Sequence, residues 1–402
     1  MSERFDLIVV GAGIVGAACS EAAARRGLKV AVVERCQVGG GTTAAGMGHL
    51  VALDGSSAEL ALCAYSLRRW RHLAQSSALE HQRCGTLWLA SSPQQLGQVA
   101  ERQGRLGAAG IRCERVDEAR LYRLEPLLAA GLAGALRVID DAVVYPPAVA
   151  SQLVREARFL GASLWLGTGV QELCDDGVVL DDGTRLRGRV LFATGTALTE
   201  LLPELPLRPR KGHLLITTRG TAAIRHQLVE LGYADSVHAD GSAVAFNLQP
   251  RPGGQLLLGS SREFDAPDER VSMPVLGRML NRAFSFLPSL RRLQALRAWT
   301  GQRPASLDGL PYLGAVAARP GVWVAAGHEG LGVTTALGSA QLVLDLMLGQ
   351  TPSIDPTPFD PLRVLRCACP ARSHTPNQPV AAASDARPAS PAERAVPCGA
   401  RS

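Results

Sequence analysis

The segment "VVGAGIVGAACSEAAARRGLKVAVVE", residues 9–34, constrains the fold more than any other part of the chain. An apolar run at 5–10 leads into Gly11-x-Gly13-x-x-Gly16, an alanine-rich stretch covers 14–26, and a second apolar run ends at Glu34. This order predicts a strand–helix–strand unit. Its glycines permit a tight turn, close approach of a pyrophosphate and close helix–strand packing, with the phosphates at the helix N-terminus. Glu34 is placed to accept hydrogen bonds from a ribose. The segment therefore predicts a dinucleotide site, but its spacing does not separate NAD from FAD.

Composition excludes several classes of protein. The chain has 402 residues, 47% of them hydrophobic, which suffices for one large core or two coupled ones. Its net charge of +6 is almost entirely arginine, since Lys29 and Lys211 are its two lysines. Without a recognisable nucleic-acid module we expect no nucleic-acid partner. No apolar run reaches the length of a bilayer span, so we expect neither an integral membrane segment nor a signal peptide.

The cysteines indicate a compartment and no metal. Nine cysteines, an odd number without a secretory leader, predict reduced thiols and a cytoplasmic location. The pair Cys367 and Cys369 lacks a second ligand pair at metal-ligand spacing, so we predict no metal site.

The order of predicted elements gives an α/β fold, α+β overall. Segments of parallel α/β character lie at both ends and in the middle of the chain, with antiparallel strands between them. We therefore predict a discontinuous Rossmann-type nucleotide domain interleaved with an antiparallel-sheet substrate domain. The predicted bounds are 1–50, 146–205 and 301–350 for the first domain, and 51–145 and 206–300 for the second. Residues 365–402, rich in Pro, Ala, Ser and Arg without periodicity, are predicted to be a disordered tail.

Two further blocks carry a family resemblance. They are "WTGQRPASLDGLPYLG" at 299–314 and "AAGHEGLGVTT" at 325–335. Together with the N-terminal fingerprint they resemble the glycine oxidase and D-amino acid oxidase superfamily of FAD-dependent amine oxidoreductases, over about residues 5–360. Within it the chain is most similar to the flavin subunits of the D-hydroxyproline dehydrogenase, opine oxidase and hydrogen cyanide synthase group.

The resemblance implies FAD as cofactor and a set of residues that hold it. The resemblance assigns the ADP half of FAD to Gly11, Ala12, Gly13, Ile14, Val15, Gly16, Glu34 and Arg35. It assigns the pyrophosphate and flavin to Thr42, Thr43 and Gly46, and the adenine to Val170. It assigns the wall along the dinucleotide to Ala193, Thr194 and Gly195, and the turn beneath the isoalloxazine to Gly327, His328, Gly332, Val333 and Thr334. Some amine oxidases attach flavin through a cysteine in the block at 299–314. That block has none here, so we predict non-covalent FAD.

The substrate site is expected around Arg303, in "GQRP". It matches the family arginine that binds the substrate carboxylate, a task that suits the planar guanidinium. Phe246 or Asn247 is expected at the pocket wall, and Glu329 and His328 near the substrate, in a turn where relatives often carry an aromatic or basic residue. A histidine beside glycines in such a turn is equally often a packed, hydrogen-bonded residue. We assign no acid–base residue, since a deprotonated, aligned amine needs none.

The resemblance implies oxidation of the C–N bond of a D-amino or imino acid, with D-hydroxyproline as one candidate. The alternatives are an FAD-carrying electron-transfer subunit of a hetero-oligomeric dehydrogenase and a glycine oxidase-like enzyme of thiamine biosynthesis. Some amine oxidases activate oxygen with a lysine over the flavin, and the two lysines here offer little for that role. We therefore expect a carrier or partner subunit as electron acceptor, and a cytoplasmic location, or one peripheral at the inner membrane through partners.

Overall fold

The structure is a computed structural model that describes residues 3–73, 79–220, 224–232, 243–264, 266 and 268–363. The predicted tail at 365–402, with Cys367 and Cys369, lies outside the described residues.

The strands are β1 (Glu3–Val10), β2 (Val30–Glu34), β3 (His49–Leu50), β4 (Thr86–Ala90), β5 (Cys113–Asp117), β6 (Gly134–Val138), β7 (Ala142–Val143), β8 (Ser163–Leu166), β9 (Val170–Cys174), β10 (Gly177–Leu180), β11 (Arg185–Phe192), β12 (Arg208–Thr217), β13 (Gln227–Glu230), β14 (Ala243–Pro250), β15 (Leu256–Phe264), β16 (Ala295–Ala305), β17 (Tyr312–Ala315) and β18 (Val322–Ala326). The α-helices are α1 (Ile14–Arg25), α2 (Gly41–Ala45), α3 (Ser57–Leu73), α4 (Pro93–Ala108), α5 (Glu118–Leu124), α6 (Pro146–Phe159), α7 (Leu198–Leu201), α8 (Met273–Phe286) and α9 (Gly332–Met347).

The first sheet is the predicted nucleotide-binding sheet. Its order is β17-β18-β11-β1-β2-β8, with β10 pairing β11 and β9 pairing β10. The pairs of β1 with β2 and β11, of β2 with β8 and of β11 with β18 are parallel. Parallel strands covered on both faces read as apolar runs, which explains the continuous hydrophobic stretch that ends at Val10. Helices α1, α6 and α9 contribute to the core on one face, and residues 198–207 to the core on the other.

The second sheet has the order β16-β12-β15-β14-β13-β4-β6-β5. Its pairs are antiparallel apart from β13 with β4. On one face it packs against α8 and α5, where alternate residues of its strands meet the apolar side of α8. Strand β16 belongs wholly to this sheet, so the predicted domain boundary at 301 falls inside a strand. The α/β class with an added antiparallel sheet is confirmed.

Helix α9 shows why apolar length alone does not indicate a membrane span. Residues Glu329–Met347 form the one described helical stretch that is long and apolar enough to cross a bilayer. Most of it is buried, and α9 packs between α1 and α3. It is therefore a core helix of the first domain.

Candidate active site

A cavity of about 390 Å³ lies at the carboxyl ends of four parallel strands. Strands β1, β2, β11 and β18 end there, and the residues that follow them line it. Ligands of open parallel sheets bind at this edge, where the connections reverse direction across the sheet. The cavity thus lies where a dinucleotide belongs in such a fold.

The first turn of α1 is open to an anion. Gly13 precedes the helix without a side-chain cap, and no residue of the first turn is acidic. The Ile14 N–H donates to the Thr43 hydroxyl at 3.0 Å, which connects α1 to α2. The remaining N–H groups and the helix dipole favour a phosphate here.

Glu34 closes the other side of this turn. Its carboxylate accepts hydrogen bonds from the Ala12 N–H at 2.8 Å and the Cys36 N–H at 2.9 Å. The same side chain lines the cavity, so it retains acceptor capacity toward a ribose. Ala12 itself is fully buried and contributes its backbone.

The site fits FAD on two observations of this structure. A side chain at Gly16 would overlap the Gly11 carbonyl oxygen, so the close packing needed to bring β1 and α1 together requires glycine. Thr168 and Thr194 line the cavity, and their buried hydroxyls have no hydrogen-bond partner among the described residues. A dinucleotide in the cavity would supply those partners.

A second cavity of about 110 Å³ adjoins the first. Ile14, Thr42, Thr43, Glu329 and Gly332 line both. The second sheet supplies one wall through Gly212 and Leu214 on β12 and Gly301 and Arg303 on β16, and the loop around α2 supplies another. A molecule bound here would therefore touch one bound in the larger cavity.

Arg303 reaches this cavity because of two glycines on neighbouring strands. The register pairs Arg210 with Arg303 and Gly212 with Gly301, so all four lie on one face of the sheet. A side chain at Gly212 would overlap the Arg303 guanidinium, and one at Gly301 would overlap Ala45. The guanidinium donates to the Ser261 carbonyl at 3.1 Å. It is thus held in place with donors directed at a small site.

Glu329 lies beside Arg303. Its Oε2 accepts from the Gly330 N–H at 2.7 Å, and its Oε1 lies 3.6 Å from Nη1 of Arg210. Burial by itself raises the pKa of Glu329, but Arg303, Arg262, the Gly330 N–H and Arg210 outweigh it and hold that pKa below its ordinary value. Glu329 is therefore a carboxylate at neutral pH.

Most of the predicted cofactor residues line one of the two cavities described above. Those that line the larger cavity are Gly11, Gly13, Ile14, Val15, Glu34, Arg35, Thr42, Thr43, Val170, Ala193, Thr194, Gly195, Gly327, His328 and Gly332. Gly46 and Val333 line the smaller cavity instead.

Three predicted residues need correction. Phe246 points away from both cavities and stacks on Phe286 at 4.7 Å, because it lies on the α8 side of the sheet. Thr334 lines neither cavity, and its hydroxyl bonds the His49 carbonyl and the Val51 N–H. His328 borders the cofactor cavity and not the substrate cavity.

His328 is the packed residue of the two alternatives. Its Nε2 lies 3.0 Å from the Ser339 hydroxyl, and burial lowers its pKa to about 3.

Asn247 is buried and pairs with Gly259, where an added side chain would meet Met47 and Leu214. Of the alternatives Phe246 and Asn247, Asn247 lies on the sheet face that is turned toward Met47 and Leu214, but it lines neither cavity.

Sequence reasoning missed Met47 and His49, which line the substrate cavity. Burial, with a contribution from Arg251, lowers the pKa of His49 to about 4, so its imidazole is neutral. Both follow α2 in the glycine-rich loop, and their alternation with Gly46 and Gly48 was the one available signal. Gly212 and Gly301 were missed because their role depends on strand register.

Comparisons with known proteins agree with this geometry. The profile of the DAO family, described as FAD dependent oxidoreductase, matches residues 6–346. A glycine oxidase of Pseudomonas aeruginosa is 30% identical over 90% of this chain and 99% of its own. The hydrogen cyanide synthase subunit HcnC of the same species is 25% identical over 92% and 100%.

Among solved structures, the glycine oxidase of Geobacillus kaustophilus superposes with a TM-score of 0.79 at 26% identity, covering 89% of this chain and 98% of its own. The family match spans both sheets and both cavities. The chain therefore belongs to the DAO family of FAD-dependent oxidoreductases, with FAD as its cofactor and C–N groups as the site of oxidation.

Proposed function

We propose that the protein oxidises the C–N bond of a small amino or imino acid whose carboxylate binds Arg303. The observation that carries this proposal is the position of Arg303 on the wall of a cavity that shares five lining residues with the cofactor cavity. A guanidinium held by the sheet suits bidentate recognition of a carboxylate.

The size of the cavity supports a small substrate. Its volume of about 110 Å³ is below the roughly 300–1,000 Å³ of drug-sized sites. Met47 and Leu214 add apolar wall, while Arg303 orients the bound acid. Glycine, N-methylglycine and small D-amino or cyclic imino acids, D-hydroxyproline among them, are the proposed range. The similarity to glycine oxidases supports the first of these.

The chemistry is a two-electron oxidation. The substrate, once its ammonium has released one proton to solvent, loses a hydride from its α-carbon and a second proton from its nitrogen and becomes an imine. FAD, when bound, supplies the hydride acceptor. The residues of this chain bind the carboxylate, exclude water and hold the α-carbon in one orientation.

A substrate panel tests the proposal. Purified FAD-loaded protein is mixed without oxygen with glycine, N-methylglycine, D-alanine, D-proline, D-hydroxyproline and the L-enantiomers, and bleaching of the flavin absorbance is recorded. We expect bleaching by at least one achiral or D-configured member. A flavin that stays oxidised with every member refutes the proposal.

We also propose that electrons leave the reduced flavin for a carrier or partner subunit, on the cytoplasmic side of the membrane, in preference to oxygen. Lys29 lies 3.1 Å from Glu3 at the surface, and Lys211 is buried on the opposite sheet face from Arg303, 3.3 Å from Asp268. Neither lysine of the chain lines the described cofactor cavity. Similarity to a synthase subunit supports a partner. Reoxidation faster in air than with an artificial dye would contradict this proposal, and cell fractionation tests the location.

A further inference from the structure

The described wall of the substrate cavity carries one positive and one negative side chain. Arg303 supplies the cation and Glu329 the anion, and the remaining lining residues are uncharged or have a neutral imidazole. The two are close, since a side chain on Gly330, next to Glu329, would lie 3.7 Å from Cδ of Arg303. An amino acid at neutral pH presents the complementary pair, a carboxylate and an ammonium, on one carbon.

Glu329 is held in place by its backbone and its neighbours. Its φ of 46° is in the left-handed region, which few residues other than glycine adopt. One carboxylate oxygen is fixed by the Gly330 N–H. The other, Oε1, is buried and accepts no hydrogen bond from the described residues, although Arg210 lies at 3.6 Å. The side chain therefore has an acceptor still to be satisfied, next to the carboxylate-binding arginine.

We infer that Glu329 binds the ammonium group of the substrate, so that Arg303 and Glu329 together recognise the zwitterion. This inference rests on the proposed function. It makes Glu329 a specificity-determining residue that distinguishes amino and imino acids from carboxylic acids without an amine.

The charges that line the cavity favour a substrate that carries a cation beside its carboxylate. Arg210, Arg262 and Arg303 all act on the Glu329 carboxylate, and Arg303 is the one of the three that lines the cavity. When a substrate carboxylate pairs with Arg303, it offsets one of these charges and places a second anion near Glu329. Two anions this close repel each other. A substrate that brings its own ammonium relieves that repulsion, whereas acetate or propionate does not.

Charge-matched ligands test the inference. The amino acid is whichever of glycine, D-alanine and D-proline reduces the wild-type flavin fastest, and its partner is the matching acid, acetate, propionate or cyclopentanecarboxylate. Dissociation constants come from the concentration dependence of anaerobic flavin reduction for the amino acid and from flavin absorbance titration for the acid. Wild type, Glu329→Gln and Glu329→Asp are compared, with Glu101→Gln, on the exposed side of α4, as control.

We expect opposite shifts. Glu329→Gln removes a charged hydrogen-bond acceptor, so the amino acid should bind about 10- to 100-fold more weakly. The acid should bind equally well or several-fold more tightly, because the repelling carboxylate is gone. Glu329→Asp should recover part of the amino acid affinity, and Glu101→Gln should match wild type.

Three results would overturn the inference. Equal weakening of both ligands by Glu329→Gln would make Glu329 a structural support of the arginines. Unchanged amino acid binding would place the ammonium elsewhere. A wild-type flavin reduced by none of the amino acids would remove the proposed function and this inference with it. The FAD content of each variant is measured separately, and all binding measurements use FAD-loaded protein.

Discussion

The guanidinium of Arg303 lies against Gly212 and donates to the Ser261 carbonyl. Its neighbours therefore fix its position before any ligand arrives, which lowers the cost of ordering a long side chain on binding. Arg210 and Arg262 act with Arg303 to hold Glu329 as a carboxylate, and Arg303 is the cation that lines the cavity, as suits an acid substrate.

Replacing Arg303 tests its role directly. Arg303→Leu removes a charge-assisted pair worth on the order of 2–5 kcal/mol when buried. Substrate-dependent flavin reduction, measured by stopped flow, should fall by roughly two to four decades while FAD content stays normal. Arg303→Lys should recover part of the rate, since it keeps the charge and loses the planar fork. Arg155→Leu, on the exposed face of α6, is the control. A leucine variant as fast as wild type would place the carboxylate elsewhere.

Gly16 is the residue that best tests the cofactor cradle. A methyl group there would overlap the Gly11 carbonyl oxygen and approach Cβ of Ala193 at 3.2 Å. These atoms belong to the ends of β1 and β11, which the sheet holds in place, so α1 must move instead. Gly16→Ala should therefore be purified with little or no FAD, measured as the ratio of flavin to protein absorbance. Normal flavin content in the alanine variant would show that the cradle is adaptable.

At the scale of elements, the register of β12 against β16 decides which side chains meet the cofactor domain. Because side chains alternate along a strand, a slip of one residue would turn Arg303 to the opposite face. That face carries Lys211 and His213, which are paired with Asp268 and Ser261. The observed register, Arg210 with Arg303 and Gly212 with Gly301, is thus the one that creates a carboxylate site.

Helix α4 offers a prediction about stability. Gly97 and Gly104 lie on its exposed side, and a side chain at either would meet no atom within 4 Å. Alanine in a helix interior is favoured over glycine by roughly 0.5–1 kcal/mol. Each substitution to alanine should raise the free energy of urea-induced unfolding by about that amount. Gly134→Ala is the contrasting variant and should destabilise, since its φ is +145° and its side chain would overlap the Val116 carbonyl oxygen.

At the scale of the whole molecule, the substrate cavity exists because the loop around α2 packs onto β16. The Thr42 hydroxyl donates to the Gln302 carbonyl at 2.7 Å, and the Trp299 indole donates to the Ala45 carbonyl at 3.3 Å. These bonds connect parts of the chain more than 250 residues apart. The reaction site is therefore a product of the packing of both sheets and belongs to neither alone.

A shortened chain tests whether residues beyond the described part contribute. Arg363 ends the described part, and its guanidinium pairs with Asp308 at 2.6 Å and donates to the Leu310 carbonyl. The sequence after residue 365 is rich in Pro, Ala, Ser and Arg, so we predict that it adds nothing to the cofactor site. A chain ending at Leu365 should keep normal FAD content and substrate-dependent reduction. In both chains acid precipitation should release the flavin into the supernatant, as expected for a non-covalent cofactor. Yellow precipitate, or apoprotein from the short chain, would contradict these expectations.

The buried imidazoles of His49 and His328 predict a loss of stability in acid. Their pKa values, lowered by burial to about 4 and about 3, lie below the ordinary 6.5. Above pH 6.5 these imidazoles are neutral in both the folded and the unfolded chain. Below pH 6.5 the unfolded chain binds the protons first, so the free energy of unfolding falls as the pH is lowered toward 4. At pH 5 the loss is about 2 kcal/mol for each histidine.

Thermal unfolding of His49→Gln, measured between pH 7 and 5, checks this. As the pH is lowered from 7 to 5, the unfolding temperature of His49→Gln should fall less steeply than that of wild type. Asp141, whose pKa burial raises to about 7, contributes with the opposite sign, but it is present in both chains and cancels in the comparison. His72→Gln, exposed on α3, should follow wild type. Parallel slopes for His49→Gln and wild type would show that the imidazole is accessible to protons.

Much of the fold and of the cofactor site follows from local pattern, because a strand–glycine turn–helix segment carries its own conformational and packing requirements. The apolar run ending at Val10, the glycines at 11, 13 and 16 and the terminal Glu34 specify a dinucleotide cradle within 32 residues. The resemblance of the block around Arg303 to the family pointed to the arginine that the structure places on the smaller cavity. These features depend on neighbours along the chain or on a continuous motif.

The tertiary structure alone decided which side chains face the substrate. Phe246 and Asn247 are adjacent in sequence, yet the pleat of β14 sends the first into the core against Phe286 and turns the second to the opposite face of the sheet, where it is buried without lining either cavity. Gly212 and Gly301 act as a pair only through strand register, and Glu329 meets its arginines only after α9 docks on the first sheet. Register and docking depend on long-range packing, in which a shift of one residue exchanges the two faces of a strand, and no local sequence pattern encodes that choice.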